Sequence, residues 1–178
     1  HEQLPPVVQA ETGDRDGVAE LERSLFARLI REFPDASVML DRQYRMAQRI
    51  QAFPSREFYD GALRPANGEV AAQTLADLPD VDVDALPDHL AARVAFVDPG
   101  GAAAGNTNPV EADAVLGIVE DYLAAGVDPA DIGVIAPFRA QVAEIGKRLA
   151  GLADGAGEAV TVDTVDRFQG SSKEVVIV

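Results

Sequence analysis

Three short apolar runs constrain this chain most. They are "DIGVIAP" at 131–137, "AVTVDTV" at 159–165 and "EVVIV" at 174–178. None shows the strict polar–apolar alternation of a strand with one wet face. Continuous apolar runs of this length suit strands buried on both sides. Between and before them the apolar residues recur at helical spacing. Strands that alternate with helices predict an α/β domain, a parallel β-sheet flanked by helices. Such sheets place ligands beyond the carboxyl ends of their strands. Pro137, Phe138 and Arg139 follow one strand there, and the stretch from Thr164 to Gly170 follows another.

The helices carry their own boundaries. "NPVEADAVLGIVEDYLAAG" opens on Asn108 as a cap, Pro109 at the first helical position and Glu111 three residues after the cap. Ala112, Val115, Leu116, Val119, Tyr122 and Leu123 form its apolar stripe, and Gly126 stops it. Phe138, Val142, Ile145 and Leu149 mark the face of the next helix. An earlier one, "VAELERSLFARLIREF", has Leu21, Leu25, Leu29 and Ile30 on one side and ends at Pro34. Two further strands are expected, "SVML" at 37–40 and "RVAFVD" at 93–98. The stretch from 64 to 92 reads as irregular and acidic, and 99–108 as a flexible loop. Ser55 is expected to cap a short helix, with Phe53, Phe58 and Tyr59 in the core.

Composition bounds the class. The 178 residues are 47% hydrophobic and 25% charged, which is a globular balance, not a disordered one. No apolar run approaches the ~20 residues of a membrane helix, and no leader segment is recognisable, so a cytoplasmic location is expected. There is no cysteine, hence no disulfide or thiolate metal site. His1 and His89 stand apart from any metal-spaced partner. The acids of "DLPDVDVDALPD" lack the glycine and terminal glutamate of a calcium loop. The net charge is −15, and lysine occurs only at 147 and 173. Such a surface repels phosphate unless salt screens it, and at molar salt the screening length is about 3 Å. Adaptation to a salt-rich cytoplasm is the reading that fits.

One stretch runs against that charge. "LDRQYRMAQRIQAFPSREFYDG" at 40–61 sets Tyr44 and Arg45 together at a strand-to-helix turn. A packed core has no use for an arginine there, whereas a phosphate does.

Four blocks now stand in order: "EQLPPVV" at 2–8, "QYRM" at 43–46 with "FPSREFYDGAL" at 53–63, "IGVIAPFRAQV" at 132–142, and "VDTVDRFQGSSKEVVIV" at 162–178. Together they resemble the superfamily 1 helicases, in the 5′-to-3′ branch of the nonsense-mediated-decay RNA helicase and the replication nuclease-helicases. The resemblance covers nearly the whole chain and is weakest at 64–92 and 99–108. It implies a RecA-like P-loop NTPase fold, truncated at both ends. Residues 1–42 are then the tail of a first RecA-like, ATP-binding domain. Residues 43–178 are a second RecA-like helicase domain, incomplete at its carboxyl end. The phosphate-binding loop and the Mg²⁺ ligands are expected upstream of His1, so this stretch alone is expected not to hydrolyse ATP.

The resemblance also implies roles. Gln3 senses the γ-phosphate, since an amide can both donate and accept. Arg45 supplies transition-state charge from the second domain, and Tyr44 lines the same pocket. Gly170 and Ser172 lie near the nucleotide. Pro137, Phe138, Arg139, Gln141, Thr164 and Gln169 face single-stranded nucleic acid, with DNA favoured over RNA. Phe138 fits the helix stripe equally well. Phe168 is expected to pack, and Asp166 to brace its loop. One departure stands out: where the family often has Gly-x-Glu, this chain has Gly170-Ser171-Ser172. The function implied is an ATP-driven translocase or helicase in DNA replication or repair. The alternatives are an RNA helicase of the same family and a helicase-like scaffold without turnover.

Overall fold

The computed structural model describes residues 25–101 and 105–178. Gln3 and the first part of the expected amino-terminal helix lie outside the described residues. The rest of that helix is present as α1 (Leu25–Glu32). It stops just before Pro34, which begins a single 3₁₀ turn, Pro34–Ala36.

The sheet is where the apolar runs predict it. Strands β3 (Ile132–Ile135), β4 (Thr161–Asp163) and β5 (Val175–Ile177) are parallel, in the order β4-β3-β5. The short helix α6 (Ala156–Ala159) leads into β4, and the central strand is β3. Its alternate residues Ile132 and Val134 are buried in the main core with Ala112, Val119 and Tyr122 of α4 (Pro109–Ala124) and Ile145 and Leu149 of α5 (Arg139–Leu149). Gly133, pointing the other way, meets the Phe168 ring of the short helix α7 (Val165–Phe168) and the stem of Lys173. So β3 is covered on both faces, and α5 and α7 lie on opposite faces of it.

Helix α4 starts as its sequence dictates. The Asn108 side chain accepts from the amides of Val110 and Glu111, and Pro109 follows it. At its end the chain turns through Gly126, at φ +92°, where a Cβ would meet Asp80 O at 2.2 Å. That close approach docks the 75–90 stretch onto the helix, with Asp82 N donating to Ala125 O. The stretch is thus more than a solvated acidic loop: Leu86 and Leu90 are buried in the core. Several of its acids are caps. Asp77 closes a capping box with Thr74, and Asp82 holds the amide of Asp84.

Two expected strands do not form. Residues 37–40 and 93–98 are in no ladder, and Val38, Leu40 and Phe96 are 85%, 78% and 92% exposed. A strand needs a neighbour to take its amides and carbonyls, and among the described residues neither segment has one. Instead, β1 (Arg42–Gln43) and β2 (Arg64–Pro65) make a small parallel pair that the periodicity did not announce. Between them runs α2 (Gln48–Phe58), which passes through Pro54. Ser55 is therefore no cap. It is buried inside this helix, and its Oγ donates to Leu63 O at 2.9 Å. Ala47, Gln51 and Ser55, at i, i+4 spacing, make the buried stripe. That leaves Phe53 and Phe58 exposed and edge-to-face, 6.4 Å apart, rather than in the core.

Candidate nucleotide and nucleic-acid interface

The strand-to-helix turn at 44–46 is built by one side chain. Gln43 Oε1 accepts from Arg45 N at 2.8 Å and Met46 N at 2.6 Å, while its Nε2 donates to Met46 O at 2.7 Å. Its amide also reaches Gln51 Oε1 at 3.3 Å, and Gln51 in turn donates to Leu63 O at 3.0 Å. Buried polar atoms are thereby satisfied, and the turn is tied to the small sheet. From outside, Gln73 Nε2 donates to Arg45 O at 2.7 Å. With the backbone held, Tyr44 is left 76% exposed. Among the described residues no ion pair engages the Arg45 guanidinium.

The second group of residues stands at the carboxyl ends of β3 and β4. Ala136 N donates to Asp163 O at 3.1 Å, which joins the two strand ends. Beyond them Pro137, Phe138 and Arg139 are all exposed. Phe138 is at the cap of α5 and points to solvent, not into the helix stripe. Gln141 differs from them. It is buried, and its amide is spent on the backbone of Asn108, accepting from Asn108 N at 2.8 Å and donating to Asn108 O at 3.1 Å. It stitches the start of α5 to the start of α4.

Thr164 is half-buried and caps α7 by its backbone carbonyl, which accepts from Arg167 and Phe168. The helix ends in a type II turn. Gln169 has φ −56°, ψ 129°, Gly170 has φ +88°, and Ser171 N donates to Phe168 O at 3.0 Å. The third position of such a turn needs positive φ, hence glycine. Phe168 is buried and anchors the turn to the sheet, as its packing role requires. Gln169, Gly170, Ser171 and Ser172 are exposed beyond it. Among the described residues no hydrogen bond or ion pair joins this end of the sheet to the Tyr44–Arg45 turn.

The remaining features lie elsewhere. A cavity of about 400 Å³ lined by Leu78, Val81, Leu123 and Asp131 is at the amino end of β3, away from these loops. Arg148 ties Asp113, Glu144 and the Pro109 carbonyl together, and this arginine holds the Glu144 carboxyl below its usual range. Burial, aided by Asp121, pushes the Tyr122 hydroxyl up, and it donates to Leu90 O. Among the described residues no group of three or more His, Cys, Asp or Glu is placed to hold a metal. Nor is any helix among them long and apolar enough to cross a membrane.

Comparison with known proteins decides what these loops belong to. A family model described as an AAA domain matches residues 21–178. The DNA polymerase alpha-associated DNA helicase A of Saccharomyces cerevisiae is 33% identical over 99% of this chain and 28% of its own length. This chain belongs to the superfamily 1 helicases of the 5′-to-3′ type. Other relatives agree. The DNA replication ATP-dependent helicase/nuclease of Xenopus laevis is 34% identical over the full chain and 18% of its own length. The regulator of nonsense transcripts 1 homolog of Neurospora crassa is 34% identical over 99% of the chain and 16% of its own length. The chain thus spans between about a sixth and a little over a quarter of the length of these relatives. Its parallel sheet is consistent with a RecA-like α/β fold.

Sequence reasoning missed one part of the site. It singled out Tyr44 and Arg45 but passed over Gln43, whose amide shapes their turn. The signal was available: a side-chain amide two residues before an exposed arginine can hydrogen-bond that residue's backbone.

Proposed function

We propose that this chain is the second RecA-like domain of an ATP-dependent helicase or translocase, residues 43–178, preceded by the tail of a first such domain. In this reading Arg45 and Tyr44 face a nucleotide held by the first domain. The loops at 137–139 and 164–172 track a single strand. One observation carries the reading. A guanidinium without an ion pair among the described residues shares a turn with an exposed tyrosine ring, and hydrogen bonds fix the backbone of that turn. That arrangement has the chemistry to meet a phosphate group and a ring or ribose of ATP. A positioned arginine stabilises charge spread over transferring phosphoryl oxygens, worth roughly 10³- to 10⁵-fold in rate where it acts as a finger.

When bound, ATP supplies the phosphoanhydride whose cleavage drives the cycle. The protein's own residues bind and orient. Gln3 senses the γ-phosphate, Gly170 and Ser172 border the nucleotide, and Thr164 and Gln169 link it to the strand. Pro137, Phe138 and Arg139 offer a ring and a cation to bases and backbone. Gln141, being bonded to Asn108, supports that surface from behind. No Gly-x-x-x-x-Gly-Lys-Ser/Thr loop occurs in the 178 residues. The phosphate cradle and Mg²⁺ ligands belong to the upstream part in this reading, and the stretch alone is inactive.

The track is proposed to be DNA, in replication or repair, because two of the three relatives above carry DNA in their names. The third is named for nonsense transcripts, which keeps RNA as the second reading. The test is hydrolysis by the parent protein, assayed at high salt to match its −15 charge, against single-stranded DNA and single-stranded RNA in turn. Stimulation by DNA supports the first reading and stimulation by RNA the second. No hydrolysis under any condition, with nucleic-acid binding retained, leaves the scaffold.

A further inference from the structure

We infer that Gln43 is a positioning residue for the Arg45 guanidinium, with Gln73 as an outer latch on the same turn. The inference rests on the nucleotide-facing role proposed for Arg45. It adds two residues that the motif chemistry did not require.

An exposed arginine on a free loop samples many orientations, and each ordered side chain costs conformational entropy. An arginine acting on a developing charge must be in place beforehand, since a misplacement of about 1 Å can cost on the order of 100-fold in rate. The turn here is held at four backbone atoms, the amide and the carbonyl of both Arg45 and Met46. Gln43 Oε1 accepts from the amides of Arg45 and Met46, Gln43 Nε2 donates to Met46 O, and Gln73 Nε2 donates to Arg45 O. Both glutamines are themselves anchored, Gln43 through its side chain and Gln73 through its backbone. Gln43 reaches Gln51, which is 6% exposed and bonded to Leu63 O. Gln73 closes the end of helix α3 (Gly68–Ala72), and Arg93 donates to the carbonyls of Ala72 and Gln73 at 2.7 and 3.2 Å. The inner clamp therefore comes from the small sheet and α2. The outer one comes from α3 and Arg93, nearly fifty residues further on.

Amide chemistry at position 43 is specific. The group accepts two bonds and donates two at once, to Met46 O and Gln51 Oε1. A glutamate keeps the acceptor and loses the donors, and an alanine loses both.

The experiment uses the parent protein and steady-state hydrolysis with saturating single-stranded nucleic acid. The variants are Gln43→Ala, Gln43→Glu, Gln73→Ala, Arg45→Ala and the Gln43→Ala/Arg45→Ala pair. Tyr122→Phe serves as a control, because it removes a buried hydrogen bond to Leu90 that involves no atom of the turn. Amide exchange at Arg45 and Met46 is followed alongside. We expect Gln43→Ala to lower kcat by about 10- to 100-fold with KM for ATP within about twofold. Gln43→Glu should fall between it and wild type, and Gln73→Ala should lose less than Gln43→Ala. The double variant should be no slower than Arg45→Ala alone. Tyr122→Phe should lose stability and keep kcat.

If exchange at 45–46 quickens in Gln43→Ala while kcat holds and Arg45→Ala is slow, the positioning role is wrong and the reading of Arg45 stands. The positioning role is equally wrong if the two losses multiply in the double variant. If Arg45→Ala itself keeps full kcat, the reading of Arg45 fails and the positioning role falls with it.

Discussion

The ring of Phe168 lies across the backbone of Gly133, so closely that a Cβ on Gly133 would sit 2.4 Å from Phe168 Cζ. This contact joins the middle of the sheet to the loop that carries Gln169, Gly170 and Ser172. It explains why a glycine interrupts an otherwise branched, buried strand. Gly133→Ala should destabilise the domain by about 1–3 kcal/mol, the usual range for overpacking a well-filled site. It should also displace α7. Chemical denaturation of the two proteins measures the first effect, and backbone chemical shifts at 164–172 measure the second. Unchanged stability would mean the ring moves aside freely.

Gly170 is needed for a different reason. A Cβ there has open space, yet φ is +88°. Gly170→Ala should therefore cost about 1–2 kcal/mol through left-handed backbone strain alone. Gly170→Asn should cost less, since asparagine tolerates that region better. Thermal unfolding of both variants checks the ranking. Equal costs would point to contacts at this turn that the structure does not contain.

Arg148 holds the Glu144 carboxyl below its usual range, chiefly through their hydrogen bond at 2.6 Å. A carboxyl with a lowered folded value binds protons more weakly in the native state than in the unfolded chain. Its contribution is fully present above the unfolded value and is lost as pH falls through the folded one, below the ordinary 4.5. Wild type should exceed Glu144→Gln in stability by a constant margin at neutral pH, and the margin should shrink towards zero in acid. Melting temperatures of both proteins across that range decide it. A margin that does not change with pH would assign the effect to packing.

The main sheet and its helices were legible because their signals are local. Asn108, Pro109 and Gly126 bound α4 by their own chemistry, and the apolar runs at β3, β4 and β5 admit few alternatives. The segments at 37–40 and 93–98 look like strands by composition, but pairing is a non-local property that composition does not carry. The stripe of α2 misled for a related reason. Gln51 and Ser55 take the buried positions because Leu63 O needs donors there. That requirement is written 8 and 12 residues away. At the site, Tyr44 and Arg45 were legible as residues out of place in a core. The Gln43 amide was legible too, two residues before Arg45, but the Gln73 amide was not, because it lies 28 residues off in an irregular acidic stretch.

The claim on which most depends is that Arg45 acts on the nucleotide. Its side chain is exposed and makes no ion pair among the described residues, so Arg45→Ala should leave stability within about 0.5 kcal/mol of wild type. The deciding measurement is the nucleic-acid-stimulated kcat for ATP hydrolysis by the parent protein carrying Arg45→Ala, beside its melting temperature. A fall of roughly 10³-fold or more, with the melting temperature unchanged, is the predicted result. A variant that hydrolyses ATP at the wild-type rate would contradict the account.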